Sequence, residues 1–71
     1  MPNNLKKLRK EFGFSQKKAA EIVGITETSF AQIERGEYLP QGRTILKISK
    51  LFSEDPRKIF HLDFFKTELN I

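Results

Sequence analysis

The stretch "SQKKAAEIVGITETSFAQIERG", residues 15–36, decides the fold of this 71-residue chain. Two segments with the apolar spacing of helices lie on either side of a tight turn that contains Gly24. Ser15 and Thr26 each stand where a side-chain oxygen can cap the helix that follows. Ala19 and Ala20 are small, so the stretch predicts two short helices that pack closely across the turn.

The remainder of the chain is also predicted to be helical, because β-branched residues are scattered and no stretch alternates cleanly between apolar and polar residues. About five short helices with short connections imply an all-α fold, a compact bundle that contains a helix-turn-helix at 15–36. We expect one domain over residues 1–71. The predicted helices are a first one capped by Asn3 or Asn4 and ended by Gly13, "QKKAAEIV" up to Gly24, "ETSFAQIER" up to Gly36, "RTILKISKLF" after the loop "EYLPQG", and a short fifth one capped by Asp55 before Pro56.

Composition limits the classes of protein to which the chain can belong. It has no Cys, which excludes disulfides and thiolate-ligated zinc, and no apolar run is long enough to cross a membrane. No secretory signal is visible, so we expect a cytoplasmic protein with no membrane partner. His61 is the only histidine and has no companion ligands, so we expect no metal site and no cofactor. Catalytic groupings are missing as well, and we expect neither an enzyme nor a small-molecule ligand.

Charge is distributed unevenly along the chain. Residues 1–50 contain ten Lys/Arg and five Asp/Glu, a formal charge of +5, whereas residues 51–71 carry −1. A basic first part suits a polyanionic partner, although an ordinary solvated surface would read the same way. The lysines of the first two helices, which next to a helix-turn-helix favour phosphate attraction, are Lys6, Lys7, Lys10, Lys17 and Lys18.

The third predicted helix has two chemically different faces. On a helical wheel, Phe30 and Ile33 lie on one side, and small, uncharged polar and acidic residues lie on the other together with one arginine. Amide, hydroxyl, carboxylate and methyl groups are those that recognise base edges in the major groove. A solvated helix face is the alternative, and the helix-turn-helix context favours base recognition instead. The residues of this second face are Glu27, Thr28, Ala31, Gln32 and Arg35.

The chain resembles the phage repressor and Cro (Xre) family of helix-turn-helix DNA-binding proteins. The resemblance covers about residues 4–60 and rests on the combination of motifs, which is far more specific than any one of them. The matching residues are "LKKLR" at 5–9, "GFSQ" at 13–16, Ala20, "VGIT" at 23–26, "IERG" at 33–36, Pro40 and "TILKISKLF" at 44–52.

The resemblance implies roles for individual residues. Gln16 matches the glutamine that usually contacts a phosphate and braces the recognition helix, and the base-reading positions fall on Glu27, Thr28 and Gln32 with Ala31 alongside. The sequence departs from the family pattern at Glu27, Glu37 and Leu39, where an acidic or apolar group stands close to expected phosphate contacts. It also departs at Ala19, which replaces the usual leucine. Phe14 and Phe30 are expected to fill the volume that the smaller side chain leaves. The expected phosphate or positioning residues are Gln16, Lys6, Lys17, Arg35, Tyr38 and Arg43.

Arg9 stands between Leu5 and Phe12 on the apolar side of the first predicted helix. A buried guanidinium requires a carboxylate partner, and Glu34 lies at the border of the third helix's core face. The family resemblance pairs the same two positions. We therefore predict a structural ion pair between Arg9 and Glu34; the alternative is that the pair presents Arg9 to a phosphate.

The C-terminal segment 61–71 is unusually apolar for a terminus. Either it folds back over the core or it forms a dimer interface. We favour an interface formed by Leu62, Phe64 and Phe65, because a single helix-turn-helix contacts too few bases to be selective. The sequence as a whole predicts a homodimeric, sequence-specific regulator of transcription, a small repressor or Cro-like protein on a palindromic double-stranded DNA operator. The alternative is a protein-interaction module, an antitoxin or anti-repressor, on the same scaffold.

Overall fold

The computed structural model describes residues 3–61 of the chain, and this part folds into five α-helices. The predicted all-α bundle is therefore confirmed. The helices are α1 (Leu5–Glu11), α2 (Gln16–Val23), α3 (Glu27–Glu34), α4 (Gly42–Phe52) and α5 (Pro56–Phe60).

Side-chain caps begin three of the five helices at the residues that the sequence indicated. The Ser15 hydroxyl accepts a hydrogen bond from the Lys18 backbone N–H at the start of α2, and Thr26 accepts one from the Ser29 N–H at the start of α3. Asp55 caps α5 in the same way, and Pro56 follows as its first residue. Each cap satisfies a backbone donor that has no partner within its own helix, so the first turns of α2, α3 and α5 are fixed locally.

The turn between α2 and α3 is built on Gly24. Its φ of 87° lies in the left-handed region, which glycine adopts without steric cost. The Ala20 carbonyl accepts hydrogen bonds from the backbone N–H of Gly24 at 2.8 Å and of Ile25 at 3.0 Å. The bond from Ile25 closes the Schellman-type end of α2 and directs the chain into α3. This turn therefore fixes the angle at which α3 leaves α2.

The core lies where all five helices meet. Ala19 and Ala20 are 0% and 2% exposed and belong to the same enclosed cluster as the fully buried Phe30 of α3. Phe14 is partly buried and packs against the same cluster. That Phe14 and Phe30 fill the volume missing at Ala19 stays a prediction. The fully enclosed cluster consists of Leu5, Ala19, Ala20, Val23, Phe30, Ile33, Ile48, Phe52, Ile59 and Phe60.

Three details of the predicted helices are wrong. α3 ends at Glu34, with Arg35 as its C-cap, and α4 begins at Gly42 rather than at Arg43. Phe12 was placed on the apolar face of α1, yet 48% of it is exposed, because it forms the C-cap after α1 and meets the core only at its margin. There its ring lies edge-on to Phe52, with 5.2 Å between the ring centroids.

Asn3 and Asn4 tie the start of the chain to α3 and α5. The Asn3 carboxamide accepts from the Leu5 N–H and donates at 2.9 Å to the Ile33 carbonyl, near the C-terminal end of α3. Asn4 is the N-cap of α1 and makes no capping bond through its side chain, but its backbone N–H donates to the Ile59 carbonyl at 2.8 Å. The two asparagines therefore share the capping task and connect the helix-turn-helix to the C-terminal helix.

Candidate nucleic-acid interface

Helix α3 turns its two faces in opposite directions, as its sequence pattern predicted. Phe30 and Ile33 are 0% and 1% exposed and anchor the helix in the core. The opposite face is accessible, and the side chains of Glu27, Thr28 and Gln32 form no ion pair or side-chain hydrogen bond within residues 3–61, so their polar groups remain available to an external partner. Two of the predicted base-reading residues there are exposed and two are partly buried: Glu27 and Thr28, then Ala31 and Gln32.

A hydrogen-bonded network centred on Glu34 joins α1, α2 and α3. Arg9 Nε lies 2.5 Å from Glu34 Oε2, and the Arg9 Nη1 donates to the Phe14 carbonyl at 2.8 Å. The Gln16 amide donates through Nε2 to Glu34 Oε1 at 3.0 Å. The side chains of Arg9 and Glu34 are only 11% and 3% exposed, and among the described residues no buried side-chain polar atom lacks a partner.

This network fixes which way the Gln16 amide points. An ionised carboxylate can only accept hydrogen bonds, so Gln16 must turn its nitrogen toward Glu34. The second N–H and the carbonyl oxygen of that amide remain for another partner, since neither forms a hydrogen bond within residues 3–61. Gln16 thus links the start of α2 to the end of α3 while it keeps polar groups for an external ligand.

The other residues predicted to contact phosphates lie on the surface. Lys6, Lys17 and Arg43 are exposed, and 43% of Tyr38 is exposed in the loop between α3 and α4. Within the described part of the chain, none of these four side chains takes part in an ion pair or a hydrogen bond. Each of them is therefore free of competing contacts in the bundle itself.

Arg35 differs from the other predicted phosphate contacts because it already has an anionic partner. Its Nε lies 2.5 Å from Glu37 Oε2, and the two side chains are 59% and 47% exposed. The sequence marked Glu37 as a departure from the family pattern but did not connect it with Arg35. Their separation of only two residues around Gly36 was the available signal.

Some expectations concern parts of the chain beyond the described range. Leu62, Phe64 and Phe65, predicted to form a dimer interface, lie outside residues 3–61.

Within residues 3–61, no group of three or more His, Asp or Glu side chains could hold a metal ion. A search of the same residues for a helix with the length and apolar character of a membrane span finds none.

A helix-turn-helix family model matches residues 5–59, which is most of the chain and covers α1 to α4 in full and α5 as far as Ile59. The chain belongs to the helix-turn-helix family of phage repressor and Cro type. The resemblance inferred from "VGIT", "IERG" and their spacing is therefore confirmed.

Individual relatives of this helix-turn-helix protein have similar lengths. It is 44% identical over 63 residues to the uncharacterized HTH-type transcriptional regulator YgzD of Bacillus subtilis, which covers 89% of this chain and 96% of YgzD. It is 27% identical over 63 residues to an uncharacterized HTH-type transcriptional regulator of Archaeoglobus fulgidus, with 89% and 90% covered. Among solved structures, the P22 c2 repressor in complex with a synthetic operator matches with a TM-score of 0.72 and 28% identity, over 75% of this chain and 80% of that one.

Two features of the helix-turn-helix surface were not found from the sequence. The first is the bond between Gln16 and Glu34, which needs the relative position of α2 and α3. The second is Lys47 of α4, whose ammonium group lies close to Gly24. Its Nζ is 3.8 Å from the position that a Cβ would occupy if Gly24 were replaced by alanine. A cation at this point is favourable because the C-terminal end of α2 carries partial negative charge.

Proposed function

We propose that this helix-turn-helix protein is a sequence-specific, double-stranded DNA-binding regulator of transcription that acts as a small repressor or Cro-like protein. The observation that carries the proposal is the accessible polar face of α3, opposite the buried Phe30 and Ile33, in a frame like that of the P22 c2 repressor. That repressor was crystallised on an operator, which supports duplex DNA as the partner of this chain.

In this proposal α3 enters the major groove and its side chains recognise base edges. Gln32 has the amide that pairs with adenine, Thr28 has a hydroxyl and a methyl, and Ala31 can meet a thymine methyl. Glu27 would accept a hydrogen bond from a cytosine amino group. Gln16, oriented by Glu34, would place its second amide N–H on a phosphate and so fix the position of α3 on the duplex.

Around this face, exposed cations would supply the sequence-independent attraction. Lys6, Lys17 and Arg43 are exposed and unpaired with any acidic group of residues 3–61, as phosphate contacts require. Each neutralised phosphate contributes about −0.9 to the slope of log affinity against log salt. Affinity should therefore fall steeply as salt rises, and this dependence separates DNA binding from the protein-interaction alternative.

The test begins with selection of bound sequences from a random duplex pool. On the best site, Gln32→Ala should cost about 1–3 kcal/mol and relax preference at one base position. Thr28→Ala should weaken preference at a neighbouring position. If both variants keep the affinity and the base preference of the unmodified protein, α3 is not the reading element and a protein partner becomes the better account.

Charge variants test the phosphate contacts separately. Lys17→Ala should weaken binding to all duplexes alike and make the salt slope shallower by about one unit. Lys50→Ala is the matched control, since it removes the same charge from the last turn of α4, outside the proposed surface. Equal slopes for Lys17→Ala and the unmodified protein would remove Lys17 from the interface.

We further propose that the protein acts as a homodimer in the cytoplasm and binds a palindromic operator through two copies of α3. The apolar residues at 62–71 support self-association, as does the small number of bases that one helix-turn-helix can reach. Phe64→Glu and Phe65→Glu should lower the dimer fraction in sedimentation and the operator affinity, with helicity retained. A selected consensus without two-fold symmetry would contradict the dimer.

A further inference from the structure

The C-terminal end of α3 carries an exposed ion pair on the proposed reading surface. Arg35 is the C-cap of α3 and lies one turn beyond Ala31 and Gln32, on the same side of the helix. Its Nε donates to Glu37 Oε2 at 2.5 Å, around the left-handed Gly36. Arg35 is therefore placed to extend the reading face toward the DNA backbone, but its guanidinium is already paired with the Glu37 carboxylate.

Exposure and position separate this pair from the other two ion pairs of the described residues. Arg9–Glu34 is almost fully buried and holds helices together, and Arg57–Asp55 lies at the start of α5, where the same carboxylate caps the helix. In contrast, the Glu37 side chain is 47% exposed, and within residues 3–61 it bonds to Arg35 alone and caps no helix. The Arg35–Glu37 pair thus has no evident part in holding the fold together.

We infer that Glu37 sets the DNA affinity of this protein by holding Arg35 in an intramolecular ion pair, so that the carboxylate competes with a DNA phosphate for the same guanidinium. The inference rests on the proposed function and goes beyond it, because it assigns a role to an acid that touches no base. An exposed pair of this kind is weak, so the carboxylate reduces rather than abolishes the contact between Arg35 and a phosphate, and it does so equally for every duplex.

The size of the effect follows from counterion release. If Arg35 gains one full phosphate contact when Glu37 is neutralised, the logarithm of the affinity rises by about 0.9 for each tenfold decrease in salt concentration below about 1 M. At about 0.1 M salt this corresponds to a gain in affinity of up to about eightfold. Base preference should not change, because phosphate contacts carry no direct sequence information.

The experiment is a double-mutant cycle on full-length protein, with duplex affinity measured by fluorescence anisotropy from about 0.05 to 0.3 M salt. The variants are Glu37→Gln, Arg35→Gln and the combination of both. Glu11→Gln is the matched control, because it removes the same charge from the exposed end of α1, where Glu11 has no ion pair among residues 3–61. Circular dichroism checks that every variant keeps the helicity of the unmodified protein.

The expected result is that Glu37→Gln binds several-fold more tightly to specific and random duplexes alike, with a salt slope steeper by up to about one unit. The gain should disappear in the Arg35→Gln background and should exceed that of Glu11→Gln. An equal gain with and without Arg35 would overturn the inference, because Glu37 would then repel DNA directly. No gain at all would overturn it too. If the unmodified protein binds no duplex at any salt concentration, the proposed function itself fails, and the inference fails with it.

Discussion

Replacement of Glu34 by Ala should be among the most destabilising single changes in the chain. Glu34 accepts hydrogen bonds from Arg9 Nε at 2.5 Å and from Gln16 Nε2 at 3.0 Å, and its side chain is only 3% exposed. Without it, the Arg9 guanidinium stays buried, and the Phe14 carbonyl is its only remaining partner among residues 3–61. Loss of one member of a buried pair costs about 3–5 kcal/mol, since it leaves an uncompensated charge.

That cost is large in relation to the stability of so small a domain. At about 0.05–0.15 kcal/mol per residue, the whole chain is expected to be stable by about 4–11 kcal/mol. Urea unfolding followed by circular dichroism measures the change, and a denaturant slope of about 1 kcal/mol/M turns the loss into a midpoint about 3–5 M lower. Glu34→Gln keeps the shape and one acceptor, so it should cost less and remain folded if Glu34→Ala does not.

A double variant separates the ion pair from simple loss of packing. Arg9→Met with Glu34→Leu replaces both charges by apolar groups of similar length, which at buried pairs is often neutral or stabilising. It should therefore be more stable than Glu34→Ala alone. A loss below about 1 kcal/mol for Glu34→Ala would refute the reasoning, because that value is typical of an exposed pair. A double variant no more stable than the single one would refute it too.

Two further predictions concern local backbone and capping. Gly24→Ala should lower the free energy of unfolding by about 1–2 kcal/mol, because the residue has a φ of 87°. Gly42→Ala should be neutral or slightly stabilising, because Gly42 is at a helical position with open space for a Cβ. Equal melting temperatures for the two variants would contradict this prediction. The hydrogen bonds from Arg57 lower the pKa of Asp55 from 3.8 to about 2, so the stabilisation from this cap is complete above pH 3.8 and is lost as the pH falls toward 2. Asp55→Asn, which keeps a capping oxygen without the charge, should show a shallower loss of urea midpoint over that range, and identical pH profiles would exclude the Asp55 carboxylate as the cause.

The sequence by itself determined the number and order of the helices, the side-chain caps of three of them and the family. Ser15, Thr26 and Asp55 cap the helices that follow them, and Gly24 provides the left-handed turn, because these interactions join residues only two to five positions apart. Apolar spacing also identified Phe30 and Ile33 as the buried side of α3, and hence the opposite face as the candidate reading surface. Such features need no knowledge of how the helices pack.

Tertiary structure decided which polar groups meet. The Gln16 amide points its nitrogen at Glu34 only because α2 and α3 cross at a fixed angle, and Asn3 reaches the Ile33 carbonyl across 30 residues. Phe12 has the spacing of a core residue, yet it is half exposed because α1 ends before it can turn inward. Helical periodicity gives the direction in which a side chain points around the axis of its own helix. Its distance from groups on other helices depends on the packing of the whole bundle, and that packing brings Arg9, Gln16 and Glu34 into one network.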